Sequence, residues 1–358
     1  MAHECPQPYI DALCVELEQR KEYLPSHPIR TVYFGGGTPS MLSIQQLQQL
    51  FLCLQHHFDL SRLEEVTLEC NPEDLDDTYL DGLKDMRFVN RLSIGVQSLD
   101  NTVLKRFNRR HDAETAIESI ERAHKHGFDN ISIDLIYAVP RGTLMRWATT
   151  LKRLKPIAEF IQHLSCYSLS IEKGTMLERQ MLSTKMVPAT EEEVLQQYHT
   201  LQHWAKKNGF CQYEISNFCK AGYESKHNSR YWNRTPYLGV GAAAHSFNGT
   251  QRCWNIADTS QYIEGIISEH PLFEEENLTN IDAFNEYVMT ALRTTQGLDK
   301  QMLSTFEIPN ELFSQQFCPS LQKQMLLQML TETPTHYVPT PKGLLQADGI
   351  AINLMVSE

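Results

Sequence analysis

Closely spaced cysteines are missing from this sequence. Its nine cysteines are scattered singly along 358 residues, and no two of them stand at C-x-x-C spacing. An odd number of isolated cysteines argues against a disulfide framework. A zinc or iron–sulfur centre of the usual kind needs ligands at short, regular spacing. The residues alone therefore indicate neither a disulfide scaffold nor a metal centre.

Excess positive charge and long apolar runs are missing as well. The net charge of −12 at pH 7 argues against a nucleic-acid partner, because binding DNA or RNA needs clustered Lys and Arg. No apolar run reaches the roughly 18 residues that a transmembrane helix requires. The first residues, MAHECPQPY, show neither the basic nor the apolar part of a secretory signal. We therefore expect a cytoplasmic protein without a transmembrane segment.

What the sequence does contain is an alternation of short β-branched runs with amphipathic stretches. This rhythm is typical of a parallel sheet whose strands are joined by helices. Helices are expected between the strands, for example over residues 43–58 and 113–126. The predicted strands are residues 31–34, 65–70, 91–96, 130–136 and 160–167.

The chain opens with a predicted helix, residues 8–24, in which Ile10, Leu13, Cys14 and Leu17 form one apolar stripe. In a repeating βα unit such a helix packs beside the strand that precedes it. We therefore expect a truncated chain whose parallel sheet has lost its first strand.

The rhythm stops near residue 170. A long helix is predicted over residues 191–207 and a strand-like segment over 237–246. Helices over 283–294 and 321–330, with a hairpin made by 337–339 and 349–354, suggest a small winged-helix-like α+β module. We divide the chain into a βα region that lacks a strand (residues 1–170), a segment that completes it (171–272) and a C-terminal domain (273–358).

A glycine turn follows the first predicted strand, and polar residues lie at or near the ends of the other four. Because parallel strands present their carboxyl ends at one edge, we expect these groups to share a ligand-binding rim. Each has a simpler reading: the glycines as a tight turn, the polar residues as helix caps, and Arg109 as a solvated charge. A phosphate loop is excluded because no Lys follows the glycines. The candidates are residues 35–37, Glu69, Gln97, Asp134 and Ser168.

Several motifs resemble, in order and spacing, the radical S-adenosylmethionine (SAM) proteins of the oxygen-independent coproporphyrinogen oxidase and HemW group. The resemblance covers essentially the whole chain and implies a partial (β/α)6 radical SAM barrel of class α/β. The motifs include TVYFGGGTPS, LECNP, IGVQS, SIDLIY, YEISNF, HNSRYW, LGVG and TPKGL.

The resemblance implies a SAM site at the strand ends. Gly36, Gly37 and Thr38 would hold the amino end of the SAM methionine, assisted by Glu69. A carboxylate is suited to this because it accepts hydrogen bonds from an ammonium group.

The remaining matched positions would contact the rest of SAM. Gln97 and Asp134 match positions on the ribose side, and Arg109 matches the one that faces the methionine carboxylate. Ser168 and Ala243 match positions that contact the adenosine through the backbone.

One family feature is missing. The family's first strand ends in a C-x3-C-x2-C loop whose thiolates bind a [4Fe–4S] cluster. This sequence has no such loop, and neither Cys5 nor Cys14 is a substitute. We therefore expect a truncated chain that binds no cluster in the usual way and performs no radical chemistry.

The stretch His227-Asn-Ser-Arg-Tyr-Trp232 resembles the heme chaperone branch of the group. It implies His227 as heme ligand, with Tyr231 and Trp232 packing on the porphyrin. A hydrogen-bonded histidine in a turn is the simpler reading. His245 is a second candidate, weakened because its small neighbours suggest tight packing.

Three functions remain open at this point. The first is a heme chaperone that hands heme to apoproteins, with dimerisation left open. The second is an oxygen-independent coproporphyrinogen III oxidase, which needs the cluster and SAM. The third is an inactive truncated fragment.

Overall fold

The computed structural model describes residues 6–25, 27–171, 173–175, 178–179, 181, 183 and 186–358. Among these residues the largest sheet has seven strands in the order β1-β2-β3-β4-β5-β7-β6. Strands β1 to β5 are parallel, and β7 and β6 continue the sheet in antiparallel pairing. The seven strands are β1 (Thr31–Phe34), β2 (Glu65–Cys70), β3 (Arg91–Gln97), β4 (Ile131–Tyr137), β5 (His163–Ser168), β6 (Cys211–Gln212) and β7 (Asn217–Cys219).

All five predicted parallel strands are present. The bounds predicted for β1 and β2 are those observed, and those of β3 and β4 differ by one residue. β5 begins three residues later than predicted, because the 3-10 turn Lys155–Ile157 is followed by a further turn at 158–160, in which the Phe160 amide donates to the Ile157 carbonyl.

Helices connect the parallel strands and cover one face of the sheet. They are α1 (Gln7–Gln19), α2 (Ile44–His57), α3 (Asp77–Met86), α4 (Asn101–Arg106), α5 (Ala113–Lys125), α6 (Leu144–Leu154) and α7 (Glu191–Lys207). Two of them begin with a capping box, in which Ser43 pairs with Gln46 and Thr190 with Glu193. α1 ends at Gln19, five residues before the predicted end. No helix in the described ranges is long and apolar enough to cross a membrane.

The two faces of the sheet differ in polarity. Val66, Leu68, Leu92 and Ile94 are buried against the helices in the main apolar core. The alternate positions carry polar side chains, and Thr67, Glu69, Arg91, Ser93, Ser132 and His163 belong to this set. Because successive strand residues point to opposite faces, the concave side of the barrel is polar.

A smaller sheet packs beside the barrel. Its strands are β8 (His245–Phe247), β9 (Gln251–Asn255) and β10 (Phe273–Asn277), in the order β10-β9-β8. Of the predicted strand-like segment 237–246, Tyr237 forms a single bridge with Phe247 and the strand starts at His245. α8 (Lys226–Trp232) and α9 (Thr259–Ile267) flank this region.

The C-terminal region combines helices with a three-stranded sheet of order β11-β13-β12. Residues 349–354, predicted as a strand, lie in a helix because Ala347, Ile350, Ala351 and Leu354 recur at helical spacing and are buried together. The division at residue 272 stays a prediction, and β10 pairs across it with β9. The elements are α10 (Asn280–Ala291), β11 (Leu298–Asp299), α11 (Lys300–Leu303), α12 (Asn310–Leu312), α13 (Cys318–Leu326), β12 (Leu330–Glu332), β13 (His336–Pro339), α14 (Pro341–Leu344) and α15 (Ala347–Leu354).

Candidate functional site

Glu69, at the end of β2, is held by two donors from β1 and its turn. The Tyr33 hydroxyl donates to one carboxylate oxygen at 2.7 Å, and the Gly36 amide donates to the other at 3.1 Å. A Cβ at Gly35 would lie 2.4 Å from the Tyr33 ring, so a side chain at that position would disturb the pair. Burial and the Glu69 carboxylate raise the pKa of Tyr33, which therefore stays a donor.

The glycine turn after β1 leaves its backbone open. Gly35, Gly36 and Gly37 are exposed, and Thr38 is half-buried at the start of the next turn. Gly36 has φ +91°, a conformation that L side chains rarely adopt. Bare backbone groups thus lie beside the Glu69 carboxylate, an arrangement that can receive an ammonium group.

Asp134 lies on the polar concave face of β4 and contacts Ser165 of β5 through a side-chain hydrogen bond. Burial and the nearby Glu69 raise the pKa of Asp134 to about 6, against the lowering effect of Ser165, Arg91 and Arg109. Glu69 and Arg109 are therefore close enough to Asp134 to act on its charge. The structure brings these three predicted residues together.

Arg109 follows the third strand on a loop that is fixed to its neighbours. Its guanidinium donates to the Asn71 side chain at 3.4 Å, and it forms no ion pair within the described part of the chain. The next residues are anchored, since Arg110 and His111 both pair with Glu73. A half-buried guanidinium without a carboxylate partner is available to an anionic ligand.

Gln97 ends β3 in a strained conformation. Its φ is +63°, and the register with β4 shifts between Ile94 and Gln97. Its side-chain amide folds back over Gly95, where a Cβ would lie 2.9 Å from Nε2. Strain of this kind costs about 1–3 kcal/mol and is typical of functional sites.

Ser168 and Ala243 are less well connected. Ser168 is exposed at the end of β5, as a strand-end ligand contact requires. Ala243 is also exposed, with φ +58°, and its amide donates to the Ile256 carbonyl. No hydrogen bond joins Ala243 to the strand-end residues in the described structure.

His227 is enclosed between the barrel and α8. Its Nδ1 is hydrogen-bonded to the Thr31 hydroxyl at 2.9 Å and its Nε2 to the Tyr231 hydroxyl at 3.0 Å, and its ring stacks on Tyr33 at 5.0 Å. Burial, with Arg230 and Arg91 nearby, lowers its pKa to about 4. The imidazole is therefore neutral at pH 7, with both nitrogens engaged.

The aromatic residues around His227 point in different directions. Tyr231 lies one helical turn away on the same face and is 39% exposed. Trp232 is rotated away, with the Arg293 guanidinium 5.8 Å from its ring centre. The structure thus brings His227 and Tyr231 together but not Trp232. His245 is exposed and stacks on Trp254 at 5.8 Å, so tight packing does not enclose it.

Residues 235–240, Ala244, His245 and β1 line a cavity of about 1060 Å³. Leu13 and Leu17 of α1 and Leu50 and Leu54 of α2 line it on one side, and His227, Arg230 and Tyr231 line it on another. The cavity runs along the edge of β1, on the side opposite to β2.

No metal-binding group of three or more His, Cys, Asp or Glu side chains occurs in the described residues. Cys14 and Cys53 are neighbours, and burial with the proximity of Cys53 raises the pKa of Cys14 to about 12. Cys5 lies outside the described residues.

Sequence reasoning missed three residues that shape this site. Tyr33 orients Glu69, and Ser165 contacts Asp134. Arg91 is a buried cation whose charge acts on both Tyr33 and Asp134. The period-2 pattern gave a signal, because all three occupy inward positions of strands next to the predicted residues.

Comparisons with known proteins agree with the family resemblance of the sequence motifs. The radical SAM superfamily model matches residues 11–154. The heme chaperone HemW of Lactococcus lactis is 34% identical over 88% of this chain and 83% of its own length. HemW of Bacillus subtilis is 34% identical over 82% of this chain and 77% of its own. The solved structure of Escherichia coli coproporphyrinogen III oxidase HemN has a TM-score of 0.82 at 23% identity, covering 98% of this chain and 83% of that one.

Proposed function

The chain belongs to the heme chaperone HemW family within the radical SAM superfamily, and we propose that it binds SAM at the barrel's strand ends and heme beside His227. In this proposal it passes heme to apoproteins in the cytoplasm. The observation that carries the heme part is the neutral imidazole of His227, whose pKa is lowered to about 4 and which lies next to the exposed Tyr231.

The residues at the strand ends suit the charged groups of the SAM methionine. Gly36, Gly37 and Thr38 offer open backbone to the ammonium group, and Glu69 is oriented to accept its hydrogen bonds. Arg109, which has no ion-pair partner among the described residues, suits the methionine carboxylate.

The ribose and the adenosine lie farther along the rim in this proposal. Gln97 and Asp134 take the ribose hydroxyls, and Ser168 and Ala243 contact the adenosine through their backbones. The role of Asp134 is better supported than that of Ala243. Asp134 interacts electrostatically with Glu69 and Arg109, whereas no hydrogen bond in the described structure links Ala243 to them.

The heme site needs a local rearrangement. Neutral imidazole is a common axial ligand of heme iron, but the Nε2 of His227 is bonded to Tyr231 at 3.0 Å. Ligation therefore requires the Tyr231 hydroxyl to turn away, which is feasible because the side chain is 39% exposed. Tyr231 then forms one wall for the macrocycle. Trp232 contributes a second wall only if it leaves Arg293.

A [4Fe–4S] cluster, which the superfamily implies, does not fit the residues that the structure describes. Such clusters are held by thiolates, and the described thiols provide no group of three. No step of the proposed function passes through a cluster. Coproporphyrinogen oxidation, which needs one, is correspondingly the weaker candidate, since the likeness to HemN establishes the fold alone.

Heme titration followed by absorption tests the proposal. We expect the parent protein to show a Soret band of a histidine-ligated heme, His227→Ala to lose or shift it, and His245→Ala to change it little. If both variants bind heme as the parent does, the ligand lies elsewhere. If the parent binds neither heme nor SAM, the proposed function is wrong.

A further inference from the structure

Two cysteines face each other across the seam between α1 and α2. The Cys53 thiol donates to the Cys14 carbonyl with an Sγ–O distance of 3.5 Å, and the two thiols also form a side-chain hydrogen bond with each other. The two residues are 39 positions apart in the sequence, so the packing of the helices brings them together. Both side chains are only half-buried, which leaves the pair open to a small reagent.

Polar contacts along the seam hold the two thiols in register. Gln7 donates to Gln49 at 2.9 Å. The Gln49 amide in turn donates to Asp11 at 3.0 Å and approaches the Cys14 sulfur at 3.9 Å. Because residues three or four apart share one face of a helix, Cys14 and Cys53 continue this row of contacts by about one turn. The seam therefore presents Cys14 to Cys53 whenever α1 lies on α2.

A covalent bond would change this seam more than its polar contacts do. Gln7 and Asp11 are exposed, and a hydrogen bond that competes with water adds little net stability. Thiols in hydrogen-bond contact are near the geometry of a disulfide, in which the sulfurs lie about 2.0 Å apart. Such a bond also restricts the unfolded chain, because it closes a long loop.

The thiol pair adjoins the apolar wall of the cavity. Cys14 follows Leu13 in α1 and Cys53 precedes Leu54 in α2, and both leucines line the cavity. A bond between the two cysteines therefore fixes the spacing of the two helices that form this wall.

We propose that Cys14 and Cys53 form a reversible disulfide, which locks α1 onto α2 and so fixes the apolar wall of the cavity. The oxidant is a low-molecular-weight disulfide of the glutathione class. Disulfides of cytosolic proteins are usually transient or redox-sensing, in keeping with a switch. Control of heme exchange by this bond rests on the proposed function, whereas formation of the bond does not.

The reaction is a two-step thiol–disulfide exchange. The Cys53 thiolate, formed by loss of a proton to water, attacks one sulfur of the oxidant, and a glutathione thiolate leaves. Cys14 then gives up its proton and attacks the Cys53 sulfur, so that the protein disulfide forms and the second glutathione thiolate leaves. The two glutathione thiolates take up two protons, and one disulfide is reduced while two cysteine thiols are oxidised. Cys14 reacts second because burial and the proximity of Cys53 raise its pKa to about 12.

Titration of the full chain with oxidised glutathione tests the site. Mass mapping of peptides after the free thiols are blocked should find Cys14 joined to Cys53, and dithiothreitol should reverse the bond. Cys14→Ser should stop at a mixed disulfide on Cys53, whereas Cys53→Ser should take up at least tenfold less glutathione at Cys14. Cys318→Ser removes a half-buried thiol of α13 and is the control, which should cross-link as the parent does.

Hydrogen exchange measures the effect on the wall. Oxidation should slow exchange of the amides of residues 12–17 at least threefold in the parent protein and leave Cys53→Ser unchanged. Release of bound heme should likewise be at least threefold slower from the oxidised parent than from the reduced one.

Four outcomes decide the proposal. Mixed disulfides at both cysteines without a Cys14–Cys53 bond, or a cross-link that leaves exchange in α1 unchanged, would each overturn it. Equal heme release from the two redox forms would overturn the control of heme exchange. A parent chain that binds no heme contradicts the proposed function instead, and mass mapping with hydrogen exchange still decides whether the disulfide forms and fixes the wall.

Discussion

The Tyr33 hydroxyl donates a 2.7 Å hydrogen bond to Glu69, and the Gly36 amide holds the other carboxylate oxygen of that residue. The carboxylate is therefore fixed at the rim before any ligand arrives. Preorganisation of this kind lowers the entropy lost on binding.

Removing the Tyr33 hydroxyl should weaken SAM binding without unfolding the protein. For Tyr33→Phe we expect a Kd for SAM about five to ten times higher, which corresponds to the loss of one hydrogen bond of about 1 kcal/mol. Isothermal titration calorimetry measures it. Glu69→Gln should have a larger effect, and Tyr231→Phe, outside the SAM site, should have none. An unchanged Kd in both Tyr33→Phe and Glu69→Gln would contradict the assignment of this end of the site.

Asp134→Asn should stabilise the protein near neutral pH. The folded-state pKa of Asp134 is about 6, above the value of about 3.9 in an unfolded chain. The folded state thus binds the proton more tightly, and stability falls as the pH rises from about 4 through 6. We expect the variant to be about 1–3 kcal/mol more stable than the parent at pH 7.5 and equal to it near pH 4.

Urea denaturation at the two pH values measures this difference. Asp85→Asn, at an exposed position of α3, is the control and should change stability little at either pH. If the difference in unfolding free energy between the parent protein and Asp134→Asn is the same at both pH values, the Asp134 carboxyl titrates normally.

Elements governed by local sequence were predictable. The β2 bounds follow from a short run of alternating apolar and polar residues between turns, and the start of α2 follows from Ser43 and Gln46, which cap each other. The strand-end candidates Glu69 and Asp134 were predictable as well, because topology alone places them at one edge.

The remaining features depend on contacts between distant residues. The buried bonds of His227 to Thr31 and Tyr231 require α8 to pack on β1, which no local pattern specifies. The helix at Ala347–Leu354 was mistaken for a strand because a short apolar run does not distinguish the two.

Glu16 should be important for docking α1. It is 1% exposed and accepts hydrogen bonds from the Gly241 amide, Asn255 and the Tyr262 hydroxyl, at 2.6 to 2.8 Å. Glu16→Ala leaves these buried donors unpaired, so we expect a loss of about 3–5 kcal/mol. Glu18→Ala, on an exposed position of the same helix, should cost less than about 0.5 kcal/mol. Equal unfolding midpoints of the two variants would refute this role.

Reconstitution with iron and sulfide under anaerobic conditions should leave the protein without stoichiometric cluster absorption and without reductive cleavage of SAM. The physical reason is that no three thiols of the described residues lie close enough together to bind a cluster. Absorption spectra after desalting, with an assay for 5′-deoxyadenosine, measure both outcomes. SAM binding itself should persist, which separates the loss of the cluster from the loss of the fold.

Heme binding should survive acidification further than an ordinary histidine ligand allows. A heme ligand must be the neutral imidazole, and an unperturbed histidine is half protonated near pH 6.5. The pKa of His227 is lowered to about 4 by burial and by Arg230 and Arg91. The Soret band should therefore persist at pH 5.5 and decline only as the pH approaches about 4. Circular dichroism at each pH verifies that the fold is intact, and Arg230→Gln should move the decline to higher pH. A midpoint near 6.5 in the folded parent protein would mean that the ligand is a solvent-exposed histidine and that His227 keeps its bonds to Thr31 and Tyr231.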